Sequence, residues 1–282
     1  MRYIFMKKIV NAVYDIYSSK LPRSFDGSRI VMLSDIHDNV YGISLESLYE
    51  LVDTQKPELI IVAGDLLTRK HSDGSDEVVA LLGRLTAKYP VFFANGNHET
   101  KVKIFRERYG DRYDLLMADL VKAGVKVLNN AHVDYRKNGE TIHIYGLELE
   151  KEYFLVRHRP PMPREHISEL LGDAPQGYRL LIAHNPMFFE KYAAWGADLT
   201  FSGHVHGGIV RLPFFGGVLN PDYRLFPKYD GGEYRIGDSV MLLGRGLGTH
   251  TINLRINNPP ELVTAVLHRG SARAGQGDGS LS

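Results

Sequence analysis

The feature that most constrains this chain is a series of short apolar runs, each of which stops at a polar residue. RIVMLS ends at Asp35, ELIIVAG at Asp65, PVFFAN at Gly96, YRLLIA just before His184 and ADLTFS at Gly203. Runs this short and this apolar read as strands buried on both faces. Between the first three lie stretches with helical periodicity, over 44–55 and 76–88, and another follows over 113–123. Strand, crossover helix, strand is the signature of a largely parallel sheet in an α/β domain.

The rest of the chain fills in around that frame. Residues 125–128, 132–136 and 141–147 read as short strands, with Asn138-Gly139 as a hairpin turn. Residues 165–171 read as a helix, 211–235 as a long ordered loop rich in Pro, Gly and aromatics, and 240–243 and 262–267 as closing strands. Near the N-terminus Phe5, Ile9, Val13, Ile16 and Tyr17 share one helical face, with Arg2, Lys7, Lys8, Lys20 and Arg23 around or beyond it. Residues 1–24 are therefore predicted as an amphipathic segment. It reads first as a helix packed on its own domain and alternatively as one lying in a membrane interface. The catalytic domain is placed at 25–268, and 269–282 reads as a flexible tail.

Composition excludes several chemistries. The chain has no cysteine, so disulfides, thiolate metal sites and cysteine nucleophiles are out of reach. A net charge of +1 gives no global field for nucleic acid, and no stable nucleic-acid binding is expected. No apolar stretch is long enough to span a membrane, and the N-terminal residues lack the layout of a signal peptide. The expected location is the cytoplasm, with peripheral membrane contact through residues 1–24 as the variant.

The strand-like runs are followed at once by hard or borderline ligands: Asp35-Ile36-His37, Gly64-Asp65, Gly96-Asn97-His98-Glu99, His184-Asn185-Pro186 and Gly203-His204-Val205-His206. In open α/β sheets the carboxyl ends of the strands line the crevice where ligands bind. Aspartate can bridge cations, imidazole supplies neutral nitrogen, and asparagine oxygen binds without adding charge. Such a set suits manganese, iron, zinc or magnesium, and two divalent cations roughly 3.5–4 Å apart can drive phosphoryl displacement. The glycines before Asp65, Asn97 and His204 are read as permitting tight turns. One D-x-H or one H-x-H would be unremarkable; five ligand-bearing strand ends in this order are not.

The ordered set D-x-H, G-D, G-N-H-E, a single H and G-H-x-H resembles the calcineurin-like metallophosphoesterases over about residues 29–267. The stretches AHNPMFF, DLTFSGHVHGG, RLPFFGG, FPKY and GRGLG resemble the bacterial YkuE-like branch. The resemblance implies a four-layer α/β/β/α sandwich and a hydrolase acting on a phosphodiester or phosphomonoester. It implies one cation on Asp35, His37 and His206, another on Asn97, His184 and His204, and Asp65 bridging them. It implies attack by a metal-bound hydroxide, with His98 assisting the leaving group and the transition-state charge. The substrate would be a small molecule, a nucleotide or a lipid headgroup. Two positions depart from the family pattern. Thr68 stands where many relatives carry an aspartate that pairs with the G-N-H histidine, which leaves the orientation of His98 to Thr68, to a carboxylate such as Asp73 or Asp76, or to nothing. Ile209 stands where Gln often follows H-G-G.

Other features are set aside. His71, His132, His143, His158, His166, His250 and His268 read as solvated or structural, His71 being the one nearest a ligand-bearing loop. The run 244–248, GRGLG, has the wrong spacing for a dinucleotide loop, and only Arg245 remains as a candidate for touching phosphate. In the 211–235 loop, Arg211, Arg224, Lys228 and Arg235 alternate with Phe214, Phe215, Tyr223, Phe226 and Tyr229, and no substrate contact is assigned. The rival reading is a non-catalytic scaffold on the same fold. It expects lost ligands, whereas all seven and His98 are present.

Overall fold

A computed structural model describes residues 8–37, 44–67, 75–154, 160–208, 211–212, 216–217, 227–248 and 255–271. The first half runs β1 (Val10–Ser18), β2 (Arg29–Leu33), α1 (Leu45–Thr54), β3 (Leu59–Val62), α2 (Ser75–Thr86), β4 (Val91–Phe93), α3 (Asn97–Ile104), α4 (Arg106–Tyr109), α5 (Arg112–Lys122) and β5 (Lys126–Val127). The second half runs β6 (Ala131–Lys137), β7 (Glu140–Leu147), α6 (His166–Leu171), β8 (Tyr178–Ala183), α7 (Phe189–Trp195) and β9 (Leu199–Ser202). A two-stranded ribbon, β10 (Arg211–Leu212) and β11 (Gly216–Gly217), follows, then β12 (Gly232–Ile236), β13 (Ser239–Leu243) and β14 (Glu261–Arg269).

The strands form two six-stranded sheets, ordered β1-β14-β2-β3-β4-β5 and β12-β13-β9-β8-β7-β6. In the first, β2, β3, β4 and β5 are mutually parallel, and β14 runs antiparallel to β2. In the second, β7, β8, β9 and β13 are parallel, and the edge strands β6 and β12 are antiparallel to their neighbours.

Alternation along each strand builds the layers. Ile30, Met32, Leu59, Ile61 and Phe92 of the first sheet meet Ile142, Ile144, Leu180, Ile182, Phe201 and Leu242 of the second in one core. The alternating neighbours Val31, Leu33, Ile60, Val62 and Phe93 face outward onto α1, α2 and α5 through Leu48, Val52, Leu82, Leu85 and Leu120. Leu181, Ala183, Met241 and Leu243 face α6 and α7 through Ile167, Phe189 and Tyr192. Each inner strand is thus buried on both faces, which is why it reads as an unbroken apolar run. The result is the four-layer α/β/β/α sandwich. The β6–β7 hairpin turns at Asn138 and Gly139, whose φ values of 50° and 81° suit a two-residue turn.

Two sequence expectations are corrected. Residues 10–18 are a strand and not a helix, paired in parallel with β14 from Val10↔Glu261 to Ser18↔Arg269. Ile16 enters the intersheet core, while Val13, placed on the same helical face by the sequence pattern, is 49% exposed. The polar interruptions find long-range partners: Asn11 donates to Gln55 and accepts from Thr264, and Asp15 accepts from His268. The 211–235 stretch also holds β10, β11 and most of β12, so its described part is not simply a loop. No helix of the described residues is long and apolar enough to cross a membrane.

Candidate metal centre

The parallel strands of both sheets deliver their carboxyl ends to one rim. Asp35 and His37 follow β2, Asp65 follows β3, Asn97 and His98 open α3 after β4, His184 follows β8, and His204 and His206 follow β9. The loops are stitched together by backbone bonds: Asp35 N to Gly64 O and His37 N to Asp65 O (both 3.1 Å), and Gly203 N to His184 O (3.0 Å).

The rim backbone is under strain. Asp35, His37, Asp65, His204 and His206 have φ of 52°, 54°, 55°, 79° and 53°. Among the described residues only Lys56 and three asparagines join them as non-glycine residues with positive φ, and asparagine tolerates that region. Strain of this kind persists where surrounding structure over-determines it, and it gathers at functional sites. The glycines serve a different end from the one expected at two of three positions. Gly64 is left-handed, with φ 78°. Gly96, at φ −94°, is not, and what it permits is close approach: a Cβ there would stand 2.6 Å from the Asp65 amide nitrogen. A Cβ on Gly203 would likewise collide with the Asp35 carboxylate.

All seven expected ligands and His98 lie together. Asp35, His37 and His206 form one cluster, Asp65, His184 and His204 a second, and His37, Asp65 and His98 a third; in each, the donor atoms are within 4.8 Å of one another. His37 Nε2 and His206 Nε2 are 3.0 Å apart, His206 Nε2 lies 3.3 Å from Asp35 Oδ1, and His184 Nε2 lies 3.2 Å from Asp65 Oδ2. Asn97 Oδ1 sits 2.6 Å from His204 Nδ1. The His98 ring is buried, its centroid 4.7 Å from that of His37, and its amide donates to Asp65 Oδ1 at 2.8 Å. Thr68 and Asp73 lie outside the described residues, as does His71, and Asp76 is exposed in the first turn of α2.

The electrostatics are those of a site built for positive charge. Burial raises the Asp35 carboxyl above its ordinary range. Burial also acts to raise Asp65, but His184, His98 and His37 outweigh it and hold the carboxyl well below its usual range. For His184, burial acts to lower the pKa, and the charges of Asp65 and Asp35 more than reverse this, lifting it to about 10. A cation in the centre would take the place of that proton.

The donor set fits divalent cations on three further counts. Asp35 Oδ2 is buried and takes no hydrogen bond from the described residues. His37 Nδ1 lies 3.0 Å from Leu67 O, and His184 Nδ1 lies 2.7 Å from Ala63 O. Donation to those carbonyls would leave each Nε2 as the nitrogen available to a metal, the arrangement that orients metal-binding imidazoles.

Sequence reasoning gave no role to three contributors. Glu99 is fully buried and accepts from Asp65 N, Leu67 N and Gly96 N, each at 2.9 Å, tying the loops after β3 and β4 to one carboxylate. Burial and the Asp65 charge push it up to about 7. Arg255 and Asn258 hold loops behind Asp35 and His206. The GRGLG run follows β13, a parallel strand whose tip also reaches the rim, so the strand-end rule would have found it. Arg245 itself is bound to Glu261, through Nη2 at 2.7 Å and Nε at 2.9 Å. The remaining described histidines have structural partners: His132 stacks on Tyr145, His143 bonds Asp134, His166 bonds Glu150, and His268 bonds Asp15. In the 211–235 stretch, Tyr229 is buried, Arg211 pairs with Asp230, and Lys228 and Arg235 pair with Glu190 and Glu233. Phe214, Phe215, Tyr223, Arg224 and Phe226 lie outside the described residues.

The calcineurin-like phosphoesterase family profile matches residues 28–208, from the start of β2 through the H-x-H-G-G loop. The chain is a calcineurin-like phosphoesterase. This metal-dependent hydrolase is similar to the uncharacterized metallophosphoesterase YkuE of Bacillus subtilis, at 28% identity over 94% of this chain and 88% of that protein. It is also similar to phosphodiesterase YaeI of Escherichia coli, at 28% identity over 83% of this chain and 80% of that protein. Among solved structures, the sulfate thiohydrolase SoxB of Thermus thermophilus aligns with a TM-score of 0.50 and 15% identity, over 88% of this phosphoesterase and 58% of that chain, a likeness of fold.

Proposed function

We propose that the chain hydrolyses a phosphomonoester or phosphodiester at a dinuclear centre. Asp35, His37 and His206 would hold one divalent cation, Asn97, His184 and His204 the other, and Asp65 both. The observation that carries this reading is the position of Asp65, whose Oδ2 lies 3.2 Å from His184 Nε2 and 4.0 Å from His37 Nε2, one imidazole from each set. Two divalent cations there would supply a nucleophilic water at neutral pH and draw charge from the phosphoryl oxygens.

The chain's own groups do the rest. Asp65 stays ionised because three imidazoles surround it. The carbonyls of Leu67 and Ala63 hold His37 and His184 in register, so the donor set is formed before substrate arrives. His98, buried beside His37 and anchored by its amide on Asp65, is placed to give a proton or hydrogen bond to the leaving oxygen.

The test strips the protein with chelator, then follows hydrolysis of bis-p-nitrophenyl phosphate and p-nitrophenyl phosphate during manganese titration. Activity should return with metal and fall in His98→Ala while both ions stay bound. No metal uptake from manganese, zinc, iron(II) or magnesium would favour the non-catalytic scaffold instead.

A second reading concerns the substrate's surroundings. Val10 pairs with Glu261, whose carboxylate also takes Arg245 N next to Gly246, so the chain enters β1 at the end of the sheet where the centre lies. The preceding sequence, MRYIFMKKI, is apolar and basic. These features support peripheral contact with an anionic membrane and an amphiphilic phosphate ester as substrate. Deleting residues 1–24 would remove β1, so charge reversal at Lys7 and Lys8 is the better probe. Co-sedimentation with phosphatidylglycerol vesicles should be lost in that variant; a wild-type chain that stays in the supernatant would end this reading.

A further inference from the structure

We propose that Arg255 and Asn258 are positioning residues for the cation held by Asp35, His37 and His206, an inference that rests on the dinuclear reading above. Neither side chain belongs to the clusters of candidate ligands. Both sit on the short segment that leads into β14, and each grips a different loop of the rim. Asn258, 2% exposed, donates through one amide nitrogen to His206 O at 2.6 Å and Gly208 O at 2.7 Å. The loop it grips has three left-handed residues in succession, His206, Gly207 and Gly208, at φ 53°, 67° and 82°. Arg255 spreads its guanidinium over the loop after β13, donating to Arg245 O at 2.9 Å, to Gly246 O at 3.0 Å and to Gly248 O through Nε at 3.1 Å.

The two loops meet around Asp35. Leu247 N donates to Ser34 O at 3.1 Å and Gly248 N to Asp35 O at 2.7 Å, so the Arg255-bound loop fixes the backbone of the first ligand. Gly246 lies against Asp35 and His206 together: a Cβ there would stand 2.8 Å from Asp35 Cβ and 3.3 Å from His206 Nδ1. At Gly207 a Cβ would meet both Arg245 Cγ and Asn258 Oδ1 at 2.8 Å, so the two gripped loops press on each other. Arg255 and Asn258 therefore act as one brace behind the Asp35–His206 pair. His184 of the other ligand set is held differently, by Ala63 O at 2.7 Å. Loss of the brace should loosen one cation and spare the other.

The experiment is manganese binding by calorimetry to the chelator-stripped full chain, with electron paramagnetic resonance to distinguish paired from single ions. Asn258→Ala removes both donations, and Arg255→Lys replaces the planar fork with a point charge. In each variant one of the two sites should weaken roughly 10–100-fold, the range seen for groups that orient metal ligands, and the other should hold wild-type affinity. In a His184→Ala background, where the braced site is the one left intact, adding Asn258→Ala should weaken the remaining ion by the same factor. Arg255→Lys, which keeps charge and length, carries the test if Asn258→Ala does not fold. Wild-type affinity at both sites in the variants overturns the brace, as does equal weakening of both. A wild-type chain that takes up fewer than two ions overturns the dinuclear reading, and the brace with it.

Discussion

Placing one methyl group at Gly96 tests whether close approach of the strand ends positions Asp65. Gly96 has φ −94° and ψ −173°, a backbone that alanine adopts freely, so conformational strain is not the obstacle. The obstacle is space: the new Cβ would lie 2.6 Å from Asp65 N where ordinary contact begins at 3.4 Å, and closer still to the Asp65 carboxyl. The Asp65 amide must therefore give way by about 0.8 Å, the difference of those two distances, and the nearer carboxyl oxygen by more. Overpacking of this kind costs about 1–3 kcal/mol, and displacing a reactive group by about 1 Å costs on the order of 100-fold in rate. The shift should also break the 2.8 Å bond from His98 N to Asp65 Oδ1, so the proposed ligand and the proposed acid–base group would move together. Gly83→Ala is the control, since Gly83 lies within α2 and its Cβ would meet Ala123 Cβ, at the end of α5, at an ordinary 3.6 Å. It should stabilise by about 0.5–1 kcal/mol through helix propensity and leave turnover alone. Urea unfolding, manganese affinity and hydrolysis of bis-p-nitrophenyl phosphate would be measured on both. A Gly96→Ala protein with wild-type rate and metal affinity would show that the contact does not position Asp65.

Asp65→Asn removes the charge shared between the clusters and should weaken both cations and nearly abolish turnover, read by metal analysis after gel filtration; wild-type activity would mean the site is misplaced. Because the charges of Asp65 and Asp35 lift His184 to about 10 against the effect of burial, the metal-free protein carries a proton there at pH 7. Metal uptake must release that proton, so apparent affinity should rise with pH from 7 towards 10. Calorimetry in buffers of different ionisation enthalpy would count the proton, and pH-independent affinity would contradict the assignment. At the far end of the sheet, buried Asp198 accepts from Lys20 Nζ at 2.8 Å, Arg179 N at 2.9 Å and Arg179 Nε at 3.0 Å. Asp198→Ala should cost about 2–4 kcal/mol in urea unfolding and leave kcat unchanged.

The difference between what the sequence made legible and what it hid follows from which atoms carry the information. β2, β3, β4, β8 and β9 were readable because burial on both faces demands apolar side chains at most positions, and the tips were readable because a metal site would draw on Asp, His and Asn. β1 was not. It is an edge strand, and its Val13 and Ile16 fall, with Ile9 just before it, at a spacing that a helix also explains. What decides between them is Gln55, Thr264 and His268, far away in the sequence. Glu99, Arg255 and Asn258 were hidden for a related reason: they act on backbone N–H and C=O groups, which every residue has and no motif marks. Yet the site depends on them. Five candidate ligand residues sit in left-handed backbone at about 1–2 kcal/mol each, a total on the order of 5–10 kcal/mol, comparable to the net stability of a domain. Loops carrying that strain would relax unless hydrogen bonds from elsewhere in the chain held them. The buried carboxylate of Glu99 and the two donors at 255 and 258 are such bonds. Their removal should therefore be felt first as lost metal affinity, since loosened ligand loops can relieve strain without unfolding the sandwich beneath them.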